Sequence, residues 1–471
     1  MKRITALLLA LIIAVLFTAC GESNNTQSGT SGSSKEESGN TSAASSSDSG
    51  TSSGTASGTD YVLPAMKWEY KKYTDYINYR HPLKHTYDKL TKGETLNVAY
   101  FGGSVTSGTG SDDSHCWRGL VGQWLENNFK KAKINNLNFS WGDSGLFLGL
   151  YRLQRDVISK KPDLLFLEYS INDLYNGTDY TLCACRFETA IREIRAACPK
   201  CDIVCILVTN QNLFEDAKNG KLHEQAQAHE DICAAYNIPS IHVGRALVDK
   251  MGSISNWSQY VTDSVHPNSE GYKVYFNEIE KFLQKNLFET KFTANDDKYP
   301  LAKIQCPALY DGNRTFISGG TSSIGNKISK TLTLESLLKD SQKNGGKGFT
   351  YSNDSFIFVS SHAHNYNGML TLARKAGDGE LVFEIDGTEM VLLSNVYDTS
   401  ASFLYSVDGS DYKTCNFSAK APTQVFTGLS SGKHTVKLKF EWAKIPGTAC
   451  KLTLQIGAIG SRDVTKQTLK K

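Results

Sequence analysis

Between residues 95 and 285 the sequence repeats one pattern, and this pattern constrains the fold more than any other feature. Short, almost continuous apolar runs of strand length alternate with amphipathic stretches of helical spacing. The runs read LNVAYF, LNFSW, DLLFLEYS, DIVCILVT and IPSIHV. Strands that are apolar on both faces are typical of parallel sheets covered by helices. The pattern therefore predicts an α/β fold with a doubly wound parallel sheet.

The amphipathic stretches between these runs carry aromatic residues at helical spacing. They cover residues 117–129, 187–194 and 272–282. A stripe of this kind on one side of a helix packs against the sheet. We predict that these aromatic residues belong to the core and do not form a binding surface.

The first residues of the chain are typical of an export signal. Lys2 and Arg3 precede an apolar run at residues 7–17, which is too short to span a membrane. The segment FTAC that follows resembles a bacterial lipobox, although Phe17 stands where an aliphatic residue is usual. The resemblance implies cleavage before Cys20 and a lipid on its sulfur. We expect an extracytoplasmic, membrane-anchored lipoprotein of a bacterial cell surface; simple secretion is the alternative.

Composition divides the rest of the chain. Residues 21–60 are rich in serine, glycine and threonine and cannot bury enough apolar surface to offset chain entropy. Towards the carboxyl terminus, strand-like alternation separated by turn residues replaces helical spacing. We predict four segments: a signal peptide with its lipidated cysteine at 1–20, a disordered linker at 21–60, the α/β domain with an N-terminal arm at 61–298, and an all-β, jelly-roll-like sandwich at 299–471.

The sequence favours neither a nucleic-acid partner nor a zinc site among its crowded cysteines. The formal net charge is +3 and no lysine- or arginine-rich block stands out, so nucleic acid is not an expected partner. Five cysteines crowd between Cys183 and Cys205, but no histidine joins them in the sequence. We therefore predict no zinc site there, and a local disulfide between Cys198 and Cys201 stays open.

Polar motifs follow the apolar runs at the point where each predicted strand ends. FGGSVTSG follows the first run, WGDSG the second and EYSIND the third, and YVTDSVHPNSEGY comes after the last run and a loop. Open parallel sheets bind ligands at the carboxyl ends of their strands. The motifs therefore fall on the edge where such a fold carries its active site.

The residues in these motifs suit acyl transfer. A serine hydroxyl such as that of Ser104 needs a histidine to take its proton, and the histidine needs a carboxylate to hold its ring. Asp263 and His266 are close enough in one loop to make that pair, and Pro267 keeps His266 extended. Taken singly, each residue also has an ordinary interpretation as a turn or capping residue.

The developing oxyanion needs donors that are already in place. The backbone N–H of Ser104 can supply one, the N–H of Gly142 or Gly145 a second, and the Asn172 carboxamide a third. Considered alone, SIND also fits a strand-ending Asx turn, and WGDSG fits the start of a helix.

In their order along the chain, these motifs resemble the SGNH (GDSL-like) hydrolase superfamily over residues 95–285. The resemblance implies a flavodoxin-like sheet, Ser104 as nucleophile, Asn172 in the oxyanion hole and the pair Asp263 and His266. For the oxyanion glycine it favours Gly142 over Gly145. The first block departs from the family pattern, with Gly-Gly-Ser in place of Gly-Asp-Ser. No metal or organic cofactor is implied.

The segment GLYRLQRDVISKKPDLLFLEYSIND is also similar to carbohydrate-esterase members of this superfamily. The expected function is a serine esterase that removes O-acetyl or other short acyl groups from a polysaccharide or oligosaccharide. A lipase or lysophospholipase that uses the same residues is one alternative. A non-catalytic carbohydrate-binding surface lipoprotein is another.

Overall fold

The computed structural model describes residues 64–142 and 144–307, and beyond them the strands given below with residues 401–417, 429–430 and 432–439. The predicted signal peptide, Cys20 and the linker lie outside the described residues. Among the residues described, no helix is both long and apolar enough to cross a membrane.

A six-stranded sheet with the order β1-β6-β5-β4-β2-β3 forms the centre of the first half of the chain. All neighbouring pairs are parallel except β1 with β6. Apart from β1, this is the flavodoxin-like strand order, so the predicted doubly wound sheet is confirmed. The strands are β1 Ile77–Asn78, β2 Thr95–Gly102, β3 Lys133–Asn138, β4 Leu164–Glu168, β5 Asp202–Ile206 and β6 Ser240–Ile241.

The N-terminal arm supplies β1. Ile77 pairs with Ile241 and Asn78 with Ser240, so the arm adds an antiparallel strand to the edge of the sheet. The sequence of the arm contains no long apolar run, and the two paired residues are too few to show a strand pattern.

Helices cover both faces of the sheet. Alternate residues of β2 enter two separate apolar clusters: Ala99 and Phe101 face one side, Val98 and Tyr100 the other. The helices are α1 Lys84–Lys92, α2 Ser104–Ser107, α3 Trp117–Asn128, α4 Leu146–Asp156, α5 Ser170–Tyr175, α6 Tyr180–Ala197, α7 Phe214–Lys218, α8 Glu224–Ala235, α9 Val243–Met251, α10 Trp257–Tyr260 and α11 Ser269–Gln284.

The aromatic stripes pack as predicted. Tyr272, Tyr275 and Phe282 on α11 are buried against the sheet, as is Phe187 on α6. Their spacing of three to four residues brings them to one side of each helix, where they supply much of the apolar contact area.

The cysteines of this half are also core residues. Cys198 and Cys201, for which a disulfide stayed open, are separate buried thiols. Cys183 and Cys205 are likewise free and fully buried, Cys183 on α6 and Cys205 in β5.

The strands described between residues 314 and 462 are antiparallel, which confirms the all-β prediction for this region. One sheet has the order β10-β13-β18-β15-β16; a second runs β11-β12-β19-β7-β8-β9, and β14 joins it through β19 and itself pairs with β17. The strands are β7 Arg314–Ser318, β8 Ser322–Ile324, β9 Lys327–Leu332, β10 Thr350–Tyr351, β11 Phe356–Val359, β12 Met369–Ala373, β13 Glu380–Asp386, β14 Glu389–Ser394, β15 Ser402–Val407, β16 Lys413–Asn416, β17 Thr423–Phe426, β18 Lys433–Lys439 and β19 Thr453–Arg462.

Candidate active site

Ser104, His266 and Asp263 are joined by hydrogen bonds at the carboxyl edge of the sheet. Ser104 is the first residue of α2, directly after β2, while the other two lie in the loop between α10 and α11. His266 Nε2 is 2.7 Å from Ser104 Oγ, and His266 Nδ1 is 2.6 Å from Asp263 Oδ2. Hydroxyl, imidazole and carboxylate thus form the sequence of groups that nucleophilic catalysis by serine requires.

The two glycines before Ser104 allow other groups to approach its turn closely. A Cβ at Gly102 would lie 2.2 Å from Thr106 Oγ1, and a Cβ at Gly103 would lie 1.9 Å from Asn172 Oδ1. Both distances are far below van der Waals contact, so neither position accepts a side chain as the neighbours stand. Gly103, which stands where the family pattern has aspartate, therefore lies directly beside the Asn172 carboxamide.

Side chains from outside hold α2 in place. The helix has only 4 residues, so most of its carbonyl groups have no partner within it. Tyr272 Oη donates to the carbonyl oxygens of Val105 (3.1 Å) and Thr109 (2.8 Å), and Trp117 Nε1 also donates to Val105 (3.2 Å). Arg118 donates to the carbonyl oxygens of the two residues after Val105. These donors keep the first residue of α2 at a fixed place.

The loop that carries His266 is equally well fixed. Asp263 Oδ1 accepts hydrogen bonds from the backbone N–H groups of Val265 and His266, both at 2.8 Å. The Asp263 carbonyl oxygen accepts from Trp257 Nε1 at 2.6 Å. The loop ends at Asn268, whose side chain caps α11. One carboxylate thus orders the loop with one oxygen and holds the imidazole with the other.

The environment of Asp263 favours its ionised form. Partial burial acts to raise its pKa, but hydrogen bonds from the His266 ring and from the backbone of His266 and Val265 outweigh this and lower the pKa below its usual value. An ionised carboxylate at Nδ1 assigns the proton to that nitrogen. The Nε2 lone pair then faces the Ser104 hydroxyl.

Two glycines after β3 were alternatives for the oxyanion hole, and their surroundings differ. The Trp141 N–H donates to the Gly102 carbonyl oxygen at 2.9 Å, which brings this loop beside the end of β2. Gly142 is partly exposed there, whereas Gly145 is buried as the N-cap of α4. A Cβ at Gly145 would lie 2.5 Å from Asp173 Oδ1, so close packing explains that glycine.

Asn172, the third predicted oxyanion donor, lies close to the turn that carries Ser104. It is in the first turn of α5, its side chain is close to Gly103, and the residue is 7% exposed. Its Oδ1 has no hydrogen-bond partner within the described part of the chain. The structure thus brings Asn172 to the turn that carries Ser104.

Sequence reasoning missed Glu168, which lies behind this turn at the end of β4. It is fully buried and accepts a hydrogen bond from Thr106 Oγ1 at 2.9 Å. Burial raises its pKa to about 8, which favours the protonated form at neutral pH. The signal in the sequence was a carboxylate that ends an otherwise apolar run.

Among the described residues, one group of side chains is close enough to share a metal ion: Asp173, Cys183 and His229. It includes none of Ser104, Asp263 and His266.

Comparisons with known proteins give a family match for part of the chain. Residues 100–274 match the sequence model of the GDSL-like lipase/acylhydrolase family. None of the curated protein sequences matches the chain.

Several solved structures are similar to this chain. A two-domain esterase (CEX) active on acetylated mannans has a TM-score of 0.61 and 17% identity, covering 81% of this chain and 95% of that one. The same esterase co-crystallized with mannopentaose gives 0.60 and 17%, with 82% and 96% covered. An acetylxylan esterase from Geobacillus stearothermophilus gives 0.36 and 14%, with 42% and 97% covered.

The likeness at a TM-score of 0.61 extends over most of both chains. The family match covers the strands and loops that bring Ser104, Asn172 and His266 together. Residues 100–274 therefore belong to the GDSL-like lipase/acylhydrolase family.

Proposed function

We propose that this protein is a serine esterase that removes O-acetyl or other short acyl groups from a polysaccharide or oligosaccharide. The observation that carries the proposal is the hydrogen-bonded series from Ser104 Oγ through His266 to Asp263, beside the Asn172 carboxamide. The fold likeness to an esterase active on acetylated mannans supports the choice of substrate class.

In the first half-reaction, His266 Nε2 takes the Ser104 proton while Oγ attacks the ester carbonyl carbon. The negative charge that forms on the carbonyl oxygen is held by the N–H groups of Ser104 and Gly142 and by the Asn172 carboxamide. His266 then gives its proton to the departing sugar oxygen, and the acyl group stays on Ser104.

In the second half-reaction, His266 takes a proton from water, and the resulting hydroxide attacks the acyl-enzyme carbonyl. The same three donors hold the second oxyanion. Collapse releases the carboxylic acid, and Ser104 recovers its proton from His266. Asp263 stays ionised and keeps the ring in one tautomer and orientation throughout.

The site also has a proposed location in the cell. A lipid on Cys20 would anchor the chain to the outer side of a bacterial membrane, and residues 21–60, rich in serine, glycine and threonine, would let the enzyme reach polymers around it. The amino-terminal sequence supports this part of the proposal.

The test is acyl release by the soluble chain from Asp60 onward. Acetylated mannan, acetylated xylan and p-nitrophenyl esters of increasing acyl length are the substrates. We expect acetate release that Ser104→Ala abolishes and that Ser107→Ala, a serine three residues further along α2, preserves.

The outcomes separate the competing functions. Activity that rises with acyl length would replace the carbohydrate esterase by a lipase. Absence of any Ser104-dependent turnover would contradict the esterase proposal and favour a binding protein.

A further inference from the structure

Asp173, Cys183 and His229 meet in the core beside the candidate active site. They come from α5, α6 and α8, and their ligand atoms all lie within 4.8 Å of one another. Their exposed fractions are 0%, 0% and 1%. Buried polar groups normally have hydrogen-bond partners, so a cluster of this kind needs a physical explanation.

The contact between Asp173 and His229 has no hydrogen bond to stabilise it. His229 Nε2 lies 3.2 Å from Asp173 Oδ2. Nevertheless, neither of these atoms nor His229 Nδ1 has a hydrogen-bond partner among the residues described. Asp173 Oδ1, in contrast, accepts from the Leu146 N–H at 2.8 Å. Buried polar atoms without hydrogen bonds are unfavourable, and a cation bound to both Oδ2 and Nε2 would satisfy them.

Cys183 indicates which cation fits. Its sulfur belongs to the same cluster, and its S–H makes one long hydrogen bond, of 4.0 Å, to the Thr178 carbonyl oxygen. Cysteine sulfur, histidine nitrogen and aspartate oxygen together are ligands of Zn²⁺. Mg²⁺ and Ca²⁺ prefer sets of oxygen ligands, so they fit this cluster poorly.

We propose that Asp173, Cys183 and His229 form a buried binding site for a divalent transition-metal ion of the zinc type. On binding, the Cys183 thiol releases its proton to solvent and its sulfur bonds to the ion, while His229 donates its neutral ring nitrogen and Asp173 its Oδ2. One position of a tetrahedral ion remains for a further ligand. The prediction from sequence that this region holds no zinc site is replaced by this proposal.

The site is structural and does not touch the substrate. The ion would join three helices, α5, α6 and α8. Asp173 directly follows Asn172 in α5 and accepts a hydrogen bond from the N–H of Leu146, the first residue of α4. The ion would therefore also steady the first turn of α5 and the start of α4. The three residues would bind the ion whether or not Ser104 acts as the nucleophile.

Metal analysis of the purified protein tests the proposal. We expect about one equivalent of zinc per chain, lost on treatment with a strong chelator and regained on adding Zn²⁺. Replacement by Co²⁺ is expected to give the near-ultraviolet absorption of a thiolate-bound cobalt ion. Cys183→Ser is expected to lose that band, and Cys198→Ser, a buried cysteine at the end of the same helix, to keep it.

Titration of the metal-free wild-type protein with Zn²⁺ and with Co²⁺ decides the question even if the variants fold poorly. We expect Zn²⁺ to raise the melting temperature of the metal-free protein. If the wild-type chain binds neither ion, the proposal is wrong and the cluster is a buried His–Asp ion pair. Retention of the metal and the cobalt band by Cys183→Ser and His229→Gln would equally overturn it.

Discussion

The chain contains histidine–aspartate pairs in opposite surroundings. His266 and Asp263 lie in a surface loop with 2.6 Å between Nδ1 and Oδ2, and the Asp263 side chain is 50% exposed. His229 and Asp173 lie in the core, with 3.2 Å between Nε2 and Oδ2 and no hydrogen bond. The same two residue types are therefore suited to different tasks, and the neighbours of each ring decide which.

The histidine pairs also differ in what the second ring nitrogen, the one that does not contact the aspartate, faces. In the loop pair, His266 Nε2 faces the Ser104 hydroxyl at 2.7 Å and can exchange a proton with it. A third histidine–aspartate pair, His434 and Asp408, lies among the antiparallel strands. Both ring nitrogens of His434 have partners there: Nδ1 is 2.6 Å from Asp408 Oδ2, and Nε2 is 2.8 Å from the Ser430 carbonyl oxygen. An Asp–His contact becomes catalytic only when the second nitrogen faces a reacting group.

The largest change in kcat or stability should come from replacing His266 and His229 by glutamine, one at a time. We expect His266→Gln to lower kcat by about 10⁴-fold, because no base is left for Ser104, with the melting temperature almost unchanged. His229→Gln should do the reverse, lowering the melting temperature and leaving most of kcat in the protein that stays folded. Esterase kinetics and thermal unfolding on both variants check this.

The comparison fails if the two variants behave alike. Loss of activity at an unchanged melting temperature in His229→Gln would mean that this ring takes part in the reaction. Full activity in His266→Gln would remove the proposed base.

Neighbouring residues on α5 sharpen the contrast. Asn172→Ala should lower kcat by about 10²- to 10³-fold with little change in KM, since a donor to the transition state is lost. Asp173→Asn keeps the size of the side chain and should instead weaken metal binding. If Asn172→Ala changed only KM, the carboxamide would bind substrate and transition state equally, contrary to its proposed role.

How far the sequence could predict each pair follows from the same contrast. Asp263 and His266 are close in the chain, so a loop of that spacing nearly fixes their contact; Ser104 joins them because parallel strands end at one edge. Asp173, Cys183 and His229 belong to separate helices, and only the packing of those helices brings them together. The crowded cysteines between Cys183 and Cys205 have no histidine near them in the sequence, and His229, which lies close to Cys183 in the fold, comes later in the chain.

The buried carboxyl group of Glu168 should make the stability of the protein depend on pH. Burial raises the pKa of Glu168 from 4.5 to about 8, so the folded state holds this proton more tightly than the unfolded state. Its contribution to stability is complete below pH 4.5 and is lost as the pH rises through about 8. At about 1.4 kcal/mol per pKa unit, the loss amounts to a few kcal/mol.

Glu168→Gln should remove this loss, because the amide resembles the protonated acid and still accepts from Thr106. Urea unfolding at mildly acidic and mildly alkaline pH measures it. We expect the variant to lose less stability than the wild type towards alkaline pH. Equal losses in both proteins would mean that Glu168 titrates normally.

The smallest effect concerns the support of the nucleophile. Tyr272→Phe removes the hydroxyl that donates to Val105 and Thr109, at a cost of about 1–2 kcal/mol of unfolding free energy. Trp117 and Arg118 still hold α2, so kcat should fall only several-fold at an unchanged KM. Tyr275→Phe on the same helix is the matched control, because in the described structure Tyr275 donates no hydrogen bond to α2. If only Tyr272→Phe loses kcat, the hydroxyl positions Ser104; equal kcat in both variants would mean that α2 is held without it.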